Sequence, residues 1–130
     1  MQKKTHWILY LSLSISGVLV LWLYAILFTA NDRVPGTEYY YSGTLNDGFN
    51  IYTGVLFFLI GIIVGYFSNA NIWMAGISSI LCLPLIALYE ATIYKGSHNL
   101  IPFELLFYFA YSLPAVAGTY LGKKIPSRFR

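Results

Sequence analysis

Two glutamates and a histidine lie close together in the C-terminal half of the chain, between two long apolar runs. Glu90 is near the end of one run, His98 is in the short connection, and Glu104 is near the start of the next run. If the two runs are antiparallel helices, with axes about 8–10 Å apart, the two carboxylates could approach within a few ångströms. Adjacent anions in a low dielectric do not both stay ionised unaided. They would share a proton, a cation or a basic partner, for which His98 and Lys95 are the local candidates.

Helix chemistry explains the two glutamates unequally. Pro102 suits the first position of a helix, because its missing N–H group costs nothing there. Glu104, two residues later, would face the positive end of the helix dipole and cap the helix, which accounts for it without a functional role. Glu90 falls in the last turn of its helix, where the dipole disfavours an anion. Ionisable groups inside a membrane tend to mark function, so we expect Glu90 to have a functional role; the alternative is a carboxylate that reaches water at the membrane surface.

Tyrosines continue the same two helix faces. Tyr94 lies one turn after the first glutamate, and Tyr108 and Tyr111 follow the second at helical spacing. Together with the glutamates and His98 they would line a polar, ligand-binding cavity. His98 titrates near neutrality and could act as a proton donor, a metal ligand or a plain loop residue. The spacing is not diagnostic of a metal site, so we predict no metal and no cofactor.

The composition indicates that lipid surrounds these helices. Of the 130 residues, 58% are hydrophobic and 10% are charged, whereas about a quarter of the residues in a soluble protein are charged. Crossing the hydrocarbon layer takes about 20 apolar residues as a helix, and an open strand in lipid would leave backbone groups unsatisfied. Four apolar runs approach or exceed this length, at residues 7–29, 51–68, 72–94 and 102–122. The sequence therefore predicts a single domain, residues 1–130, folded as an all-α bundle of four transmembrane helices.

The basic residues predict the orientation of this bundle. Arg33 and Lys95 fall on one side of the membrane, and the other six basic residues fall on the opposite side: Lys3, Lys4, Lys123, Lys124, Arg128 and Arg130. Because Lys and Arg are enriched in cytoplasmic segments, we expect a multi-pass protein of the cell membrane with both termini in the cytoplasm. All five acidic residues then fall in or near the outer half, where they would concentrate cations. Basic residues confined to the two ends argue against a nucleic-acid partner.

The connections and prolines suggest how the outer half opens. The outer loop at residues 30–50 is longer than most connections, which is typical of a functional or a disordered segment. Its tyrosines, Tyr39, Tyr40 and Tyr41, favour a lid lying at the membrane interface. Pro84 and Pro114 stand near the middle of two spans, where kinks would help the outer halves diverge.

Small residues predict where the helices pack most closely. They recur at helical spacing in the inner halves of the spans, and the packing glycines are Gly61, Gly65, Gly76, Gly118 and Gly122. Such residues let membrane helices approach closely. We therefore expect a bundle that is tight at its cytoplasmic end and splayed outside, although the same faces are compatible with a homo-oligomer or a membrane protein partner.

The absence of several enzyme motifs limits the classes of function that the sequence supports. The chain has no H-E-x-x-H, G-x-S-x-G, phosphate-binding loop or C-x-x-C motif, and Cys82 is its only cysteine. The sequence favours a non-enzymatic protein that binds or translocates a small cationic ligand or a proton through a polar cavity on the outer side. One alternative is a non-catalytic interaction, assembly or immunity subunit. The least favoured alternative is an intramembrane enzyme that uses the glutamate pair for acid–base catalysis.

Overall fold

The computed structural model describes residues 2–29 and 32–125, with side chains from residue 6 onward. Within these ranges the chain forms six helices and no strand: α1 (Gln2–Phe28), α2 (Tyr40–Asp47), α3 (Ile51–Phe67), α4 (Ile72–Ile80), α5 (Cys82–Ile93) and α6 (Ile101–Lys124). The prediction of an all-helical protein is confirmed for this part of the chain. Of the basic residues that predict orientation, Arg128 and Arg130 lie outside the described residues, as do the side chains of Lys3 and Lys4.

Two helices are long and apolar enough to cross a membrane by themselves. The apolar part of α1, His6–Phe28, has 23 residues, and α6 has 24. The other four helices qualify only as bent pairs, with an angle of 81° between α2 and α3 and of 44° between α4 and α5. By length and composition the described chain therefore has two helices that could span a membrane, or up to four candidate spans if each bent pair crosses as a unit.

Pro84 explains the break between α4 and α5. A proline here cannot donate to the carbonyl of Ile80, four residues earlier, and its ring crowds that carbonyl. The first helix ends at Ile80, and the N–H of Leu81 donates instead to the carbonyl of Ser78 at 3.4 Å. By contrast, α6 continues as one helix through Pro114. The predicted pair of prolines therefore divides the chain at one position and not at the other.

The helices α3 and α6 run in the same direction and approach closely through glycines. A Cβ atom added at any of the four positions would lie 2.0–2.4 Å from a backbone carbonyl oxygen of the other helix: Gly61, Gly65, Gly118 and Gly122. Backbone atoms cannot move aside as a flexible side chain can, so this approach requires glycine. The fifth predicted glycine, Gly76 in α4, packs on Val116 of α6. Gly17 of α1, which the sequence analysis did not select, lies against the carbonyl of Ser79 in the same way.

The segment before α3 folds along the other helices instead of forming a long surface loop. Phe49 stacks on Tyr111 with ring centroids 3.9 Å apart. Tyr111 lies about ten residues into α6, so at 1.5 Å per residue α3 starts roughly 15 Å below the start of α6. Gly48, at the end of α2, approaches the carbonyl of Leu21, about two turns before α1 ends. The expectation of a long loop over residues 30–50 was therefore wrong for residues 40–47, which form α2; Ala30 and Asn31 lie outside the described residues.

Substitution of Gly118 tests the α3–α6 contact. We expect Gly118→Ala to lower the unfolding temperature in detergent, because its Cβ would lie 2.0 Å from the Phe58 carbonyl oxygen and overpacking costs about 1–3 kcal/mol. Gly54→Ala is the matched control, because the nearest atom to its Cβ is 4.0 Å away. Thermal melts that leave both variants at the wild-type temperature would contradict a close α3–α6 contact.

Candidate functional site

Glu90 is buried and accepts hydrogen bonds at both carboxylate oxygens. It is 1% exposed. Its Oε1 accepts the backbone N–H groups of Tyr41 at 2.8 Å and Ser42 at 3.3 Å. Its Oε2 accepts the hydroxyl of Ser42 and lies 3.1 Å from Nε2 of His98. A carboxylate at this depth is tolerated because four donors surround it.

The two backbone donors identify Glu90 as the cap of α2. They belong to the first turn of that helix, where N–H groups have no partner within the helix. Glu90 supplies from α5 the acceptor that an N-cap residue normally supplies locally, and its charge faces the positive end of the α2 dipole. The expectation that no helix terminus helps Glu90 was wrong, because it considered only the helix that carries the residue.

His98 lies between the two glutamates. Its Nδ1 is 2.6 Å from Oε2 of Glu104, its Nε2 is 3.1 Å from Oε2 of Glu90, and it is 3% exposed. Both contacts are satisfied when both ring nitrogens carry protons. Burial disfavours the charged ring, but the hydrogen bonds and charges of Glu104 and Glu90 outweigh burial and raise the pKa of His98 above its usual value. Two carboxylates and one imidazolium then leave one net negative charge in the cluster.

The connection between α5 and α6 holds His98 in an unusual backbone conformation. Its φ of 54° is in the left-handed region, which residues other than glycine rarely adopt. Its N–H donates to the hydroxyl of Tyr39 at 2.9 Å, and the two rings pack with centroids 4.7 Å apart. Tyr39 itself has a φ of 60°. Two strained residues that fix each other give the imidazole a defined position, and such strain persists only where the surroundings over-determine it.

Glu104 is the accessible carboxylate of the cluster. Its side chain is 27% exposed, and the hydroxyl of Tyr108 lies 3.5 Å from the Oε2 that faces His98. The N-terminus of α6 follows Leu100 and receives no side-chain cap within the described part of the chain. The expectation that Glu104 caps α6 was therefore wrong: the side chain turns toward the imidazole rather than toward the free N–H groups of its own helix.

A cavity of about 340 Å³ lies between α2 and α6, beside this cluster. It exists because α2 packs on α1 and α5 and stands away from α6. The hydroxyl of Tyr111 bridges the gap to Asn46 of α2 at 2.9 Å. The wall contains one carboxylate, one imidazole, amide and hydroxyl groups of α2, and the rings of Tyr39, Phe107, Tyr108 and Tyr111.

The predicted site residues take three positions relative to this cavity. His98, Glu104, Tyr108 and Tyr111 line it. Glu90 contacts it through His98. Tyr94 turns the other way and donates its hydroxyl to the carbonyl of Gly36 at 2.5 Å, which holds the segment before α2.

Sequence reasoning missed the contribution of α2 to the site. Ser42 and Asn46 are one helical turn apart and both line the cavity, as does Tyr39 just before the helix. The one available signal was the tyrosine cluster, which indicated an ordered segment at residues 39–41. The cluster did not indicate a helix, because the N–H donors in the first turn of α2 bind Glu90, which is far away in the sequence.

The described residues contain no group of three or more His, Cys, Asp and Glu side chains arranged to hold a metal ion. The imidazole of His98 directs each nitrogen at a carboxylate, an arrangement that uses N–H groups rather than the lone pair a metal requires. Comparisons of the chain with protein-family models, curated proteins and solved structures return no match. The function therefore has to be inferred from the chemistry of the cavity.

Glu90→Gln tests the capping role. We expect this variant to lower the free energy of unfolding by about 1.5–3 kcal/mol, the usual worth of hydrogen bonds to a charged group, because the amide replaces a charged acceptor by a donor facing Ser42 and His98. Glu38→Gln removes an exposed carboxylate before α2 and is the matched control. Chemical denaturation in detergent measures both, and a Glu90→Gln variant as stable as Glu38→Gln would exclude the cap.

Proposed function

We propose that this protein crosses the cell membrane four times, with both termini in the cytoplasm, and binds a small organic cation in the cavity between α2 and α6. The observation that carries the proposal is the partly exposed carboxylate of Glu104 in a cavity walled by aromatic rings. The four passes and the binding site support each other. Beside the cavity, the end of α5, which closes the α4–α5 pair, meets the start of α2, which opens the α2–α3 pair.

The order of helix contacts supports four passes. In α1 and α4, Leu13 packs with Ala75 and Gly17 with Ser79, so these helices run in the same direction. The helices α3 and α6 also share a direction, as alternate passes require. Lys123 and Lys124 end α6, and the positive-inside rule then assigns that end to the cytoplasm and the cavity to the outer side.

The chemistry of the wall favours an organic cation over an anion or a neutral ligand. The glutamate–histidine cluster keeps one net negative charge, and the low dielectric of the surroundings strengthens its field. The faces of tyrosine and phenylalanine rings attract a cation within about 6 Å of their centres. A volume of about 340 Å³ lies in the range of small-ligand sites, roughly 300–1,000 Å³. An alkylammonium ion matches both the charge and the apolar rings.

Glu90 contributes to binding indirectly in this proposal. Its carboxylate is surrounded by Tyr41, Ser42 and His98 and is not free to bind a ligand. It positions α2, which carries one wall of the cavity, and it holds the imidazole. Glu90 is a positioning residue, and Glu104 is the residue that contacts the cation.

Binding of tetramethylammonium tests the proposal. We expect purified protein in detergent to bind this ion by calorimetry, and Glu104→Gln to weaken binding by at least tenfold, because it removes the accessible charge while leaving the α2 cap intact. Glu38→Gln is the control and should bind as the wild type does. Equal affinity for tert-butanol, a compact uncharged molecule of similar shape, would show that the rings alone select the ligand and would overturn the proposal.

Cysteine accessibility tests the four passes. In a Cys82→Ala background, single cysteines at the exposed positions 37, 69 and 95 are treated with a membrane-impermeant maleimide in intact cells. We expect Thr37→Cys and Lys95→Cys to react, and Asn69→Cys to react only after permeabilisation. Equal reactivity at positions 37 and 69 would mean that α3 does not cross the membrane, and equal reactivity at 69 and 95 would mean that α4 and α5 do not.

A further inference from the structure

We infer that the cavity exchanges a proton for its cation: the bound cation replaces the imidazolium of His98 as the partner of Glu104, and His98 releases one proton to water. This inference rests on the proposed function and specifies how the same site is regulated. The exchange balances in charge, since one positive charge enters the cluster and one leaves it.

The geometry gives the cation and the proton a single shared acceptor. Oε2 of Glu104 lies 2.6 Å from Nδ1 of His98, and the same carboxylate is the one that the cavity reaches. Glu90 cannot take over as a second acceptor, because it is 1% exposed and surrounded by donors. A cation bound to Glu104 is therefore adjacent to the imidazolium of His98, and the two positive charges repel each other in a low dielectric.

The structure also indicates which proton leaves. Nε2 of His98 faces Glu90. The buried carboxylate of Glu90 requires this hydrogen-bond donor whether or not a ligand is bound. Nδ1 faces the carboxylate that the cation occupies. Loss of the Nδ1 proton leaves a neutral imidazole that still donates to Glu90 through Nε2, so the α2 cap is preserved while the positive charge beside Glu104 passes from the ring to the bound cation.

Among the groups that face His98, the two carboxylates have the strongest effect on its protonation. From α5 it faces Glu90, from α6 Glu104 with Tyr108 behind it, and from α2 the hydroxyl of Ser42 at 3.4 Å from Nε2. The segment before α2 contributes the phenol of Tyr39, whose oxygen accepts a hydrogen bond from the backbone N–H of His98.

Two cationic side chains belong to the segments next to the cavity. Arg33 packs over Gly43 and pairs with Asp47 at 3.0 Å, and Lys95 is exposed on the connection. Burial lowers the pKa of His98, but the hydrogen bonds and charges of Glu104 and Glu90 outweigh burial and raise it, which favours the protonated ring that a cation would displace.

Proton release on binding tests the exchange. Tetramethylammonium chloride is added to the full chain in weakly buffered detergent with a pH indicator, against an equal addition of sodium chloride. Tetramethylammonium has no titratable proton, so any released proton comes from the protein. We expect release approaching one proton per bound ion at pH values below the pKa of His98. We also expect the affinity to fall about tenfold for each pH unit below the pKa of His98, as one linked proton requires.

His98→Gln identifies the source of the proton. It keeps a donor for the carboxylates and should bind tetramethylammonium without proton release and without this pH dependence. Release that persists in His98→Gln would assign the proton to another group and overturn the inference. The slope of affinity against pH in the wild type decides the same point if the variant does not fold.

The outcomes separate the two proposals. Binding in the wild type without proton release at any pH would overturn the exchange and leave the cation site standing. Absence of tetramethylammonium binding to a folded wild-type protein would overturn the cation site, and the exchange with it.

Discussion

A charged carboxylate buried among apolar helices has to be surrounded by donors, and the structure around Glu90 meets this constraint by bringing in a second helix terminus. The first turn of α2 supplies two N–H groups and a hydroxyl, and His98 supplies a ring N–H. Because those donors must lie at the end of α5, α2 is drawn between α1 and α5 and away from α6. The cavity is the space left by that placement, so the burial of one carboxylate determines where the cavity forms.

The two glutamates differ in accessibility, although each lies within one turn of the end of its helix. Glu90 is sequestered and holds α2, whereas Glu104 keeps a quarter of its side chain exposed and faces the cavity. His98 lies between them, and its positive charge offsets one of the two negative charges. The strained backbone at His98 and Tyr39 fixes the imidazole between its partners, which keeps the distance between Nδ1 and Glu104 short.

Much of this arrangement follows from local sequence rules, and the part that does not depends on distant contacts. The apolar runs predicted the extents of α1 and α6 closely, because lipid-facing helices need continuous apolar sequence. The glycines of α3 and α6 were visible at helical spacing. The proximity of Glu90, His98 and Glu104 also follows from a short connection between antiparallel helices. The capping role was assigned to the wrong glutamate, because capping rules look within one helical turn, whereas the donors to Glu90 lie 48 and 49 residues away in the sequence. The helix α2 was missed for the same reason, since its first turn is completed by another helix.

The protonation state of His98 tests most directly whether a charged imidazolium joins the two carboxylates. Nitrogen NMR on protein labelled in histidine, with His6→Gln leaving His98 as the one remaining histidine, reports the proton on each ring nitrogen without a ligand. We predict that both Nδ1 and Nε2 carry protons at neutral pH, and that Glu104→Gln removes the proton from Nδ1 first. A neutral ring with a single N–H in the wild type at neutral pH would contradict it.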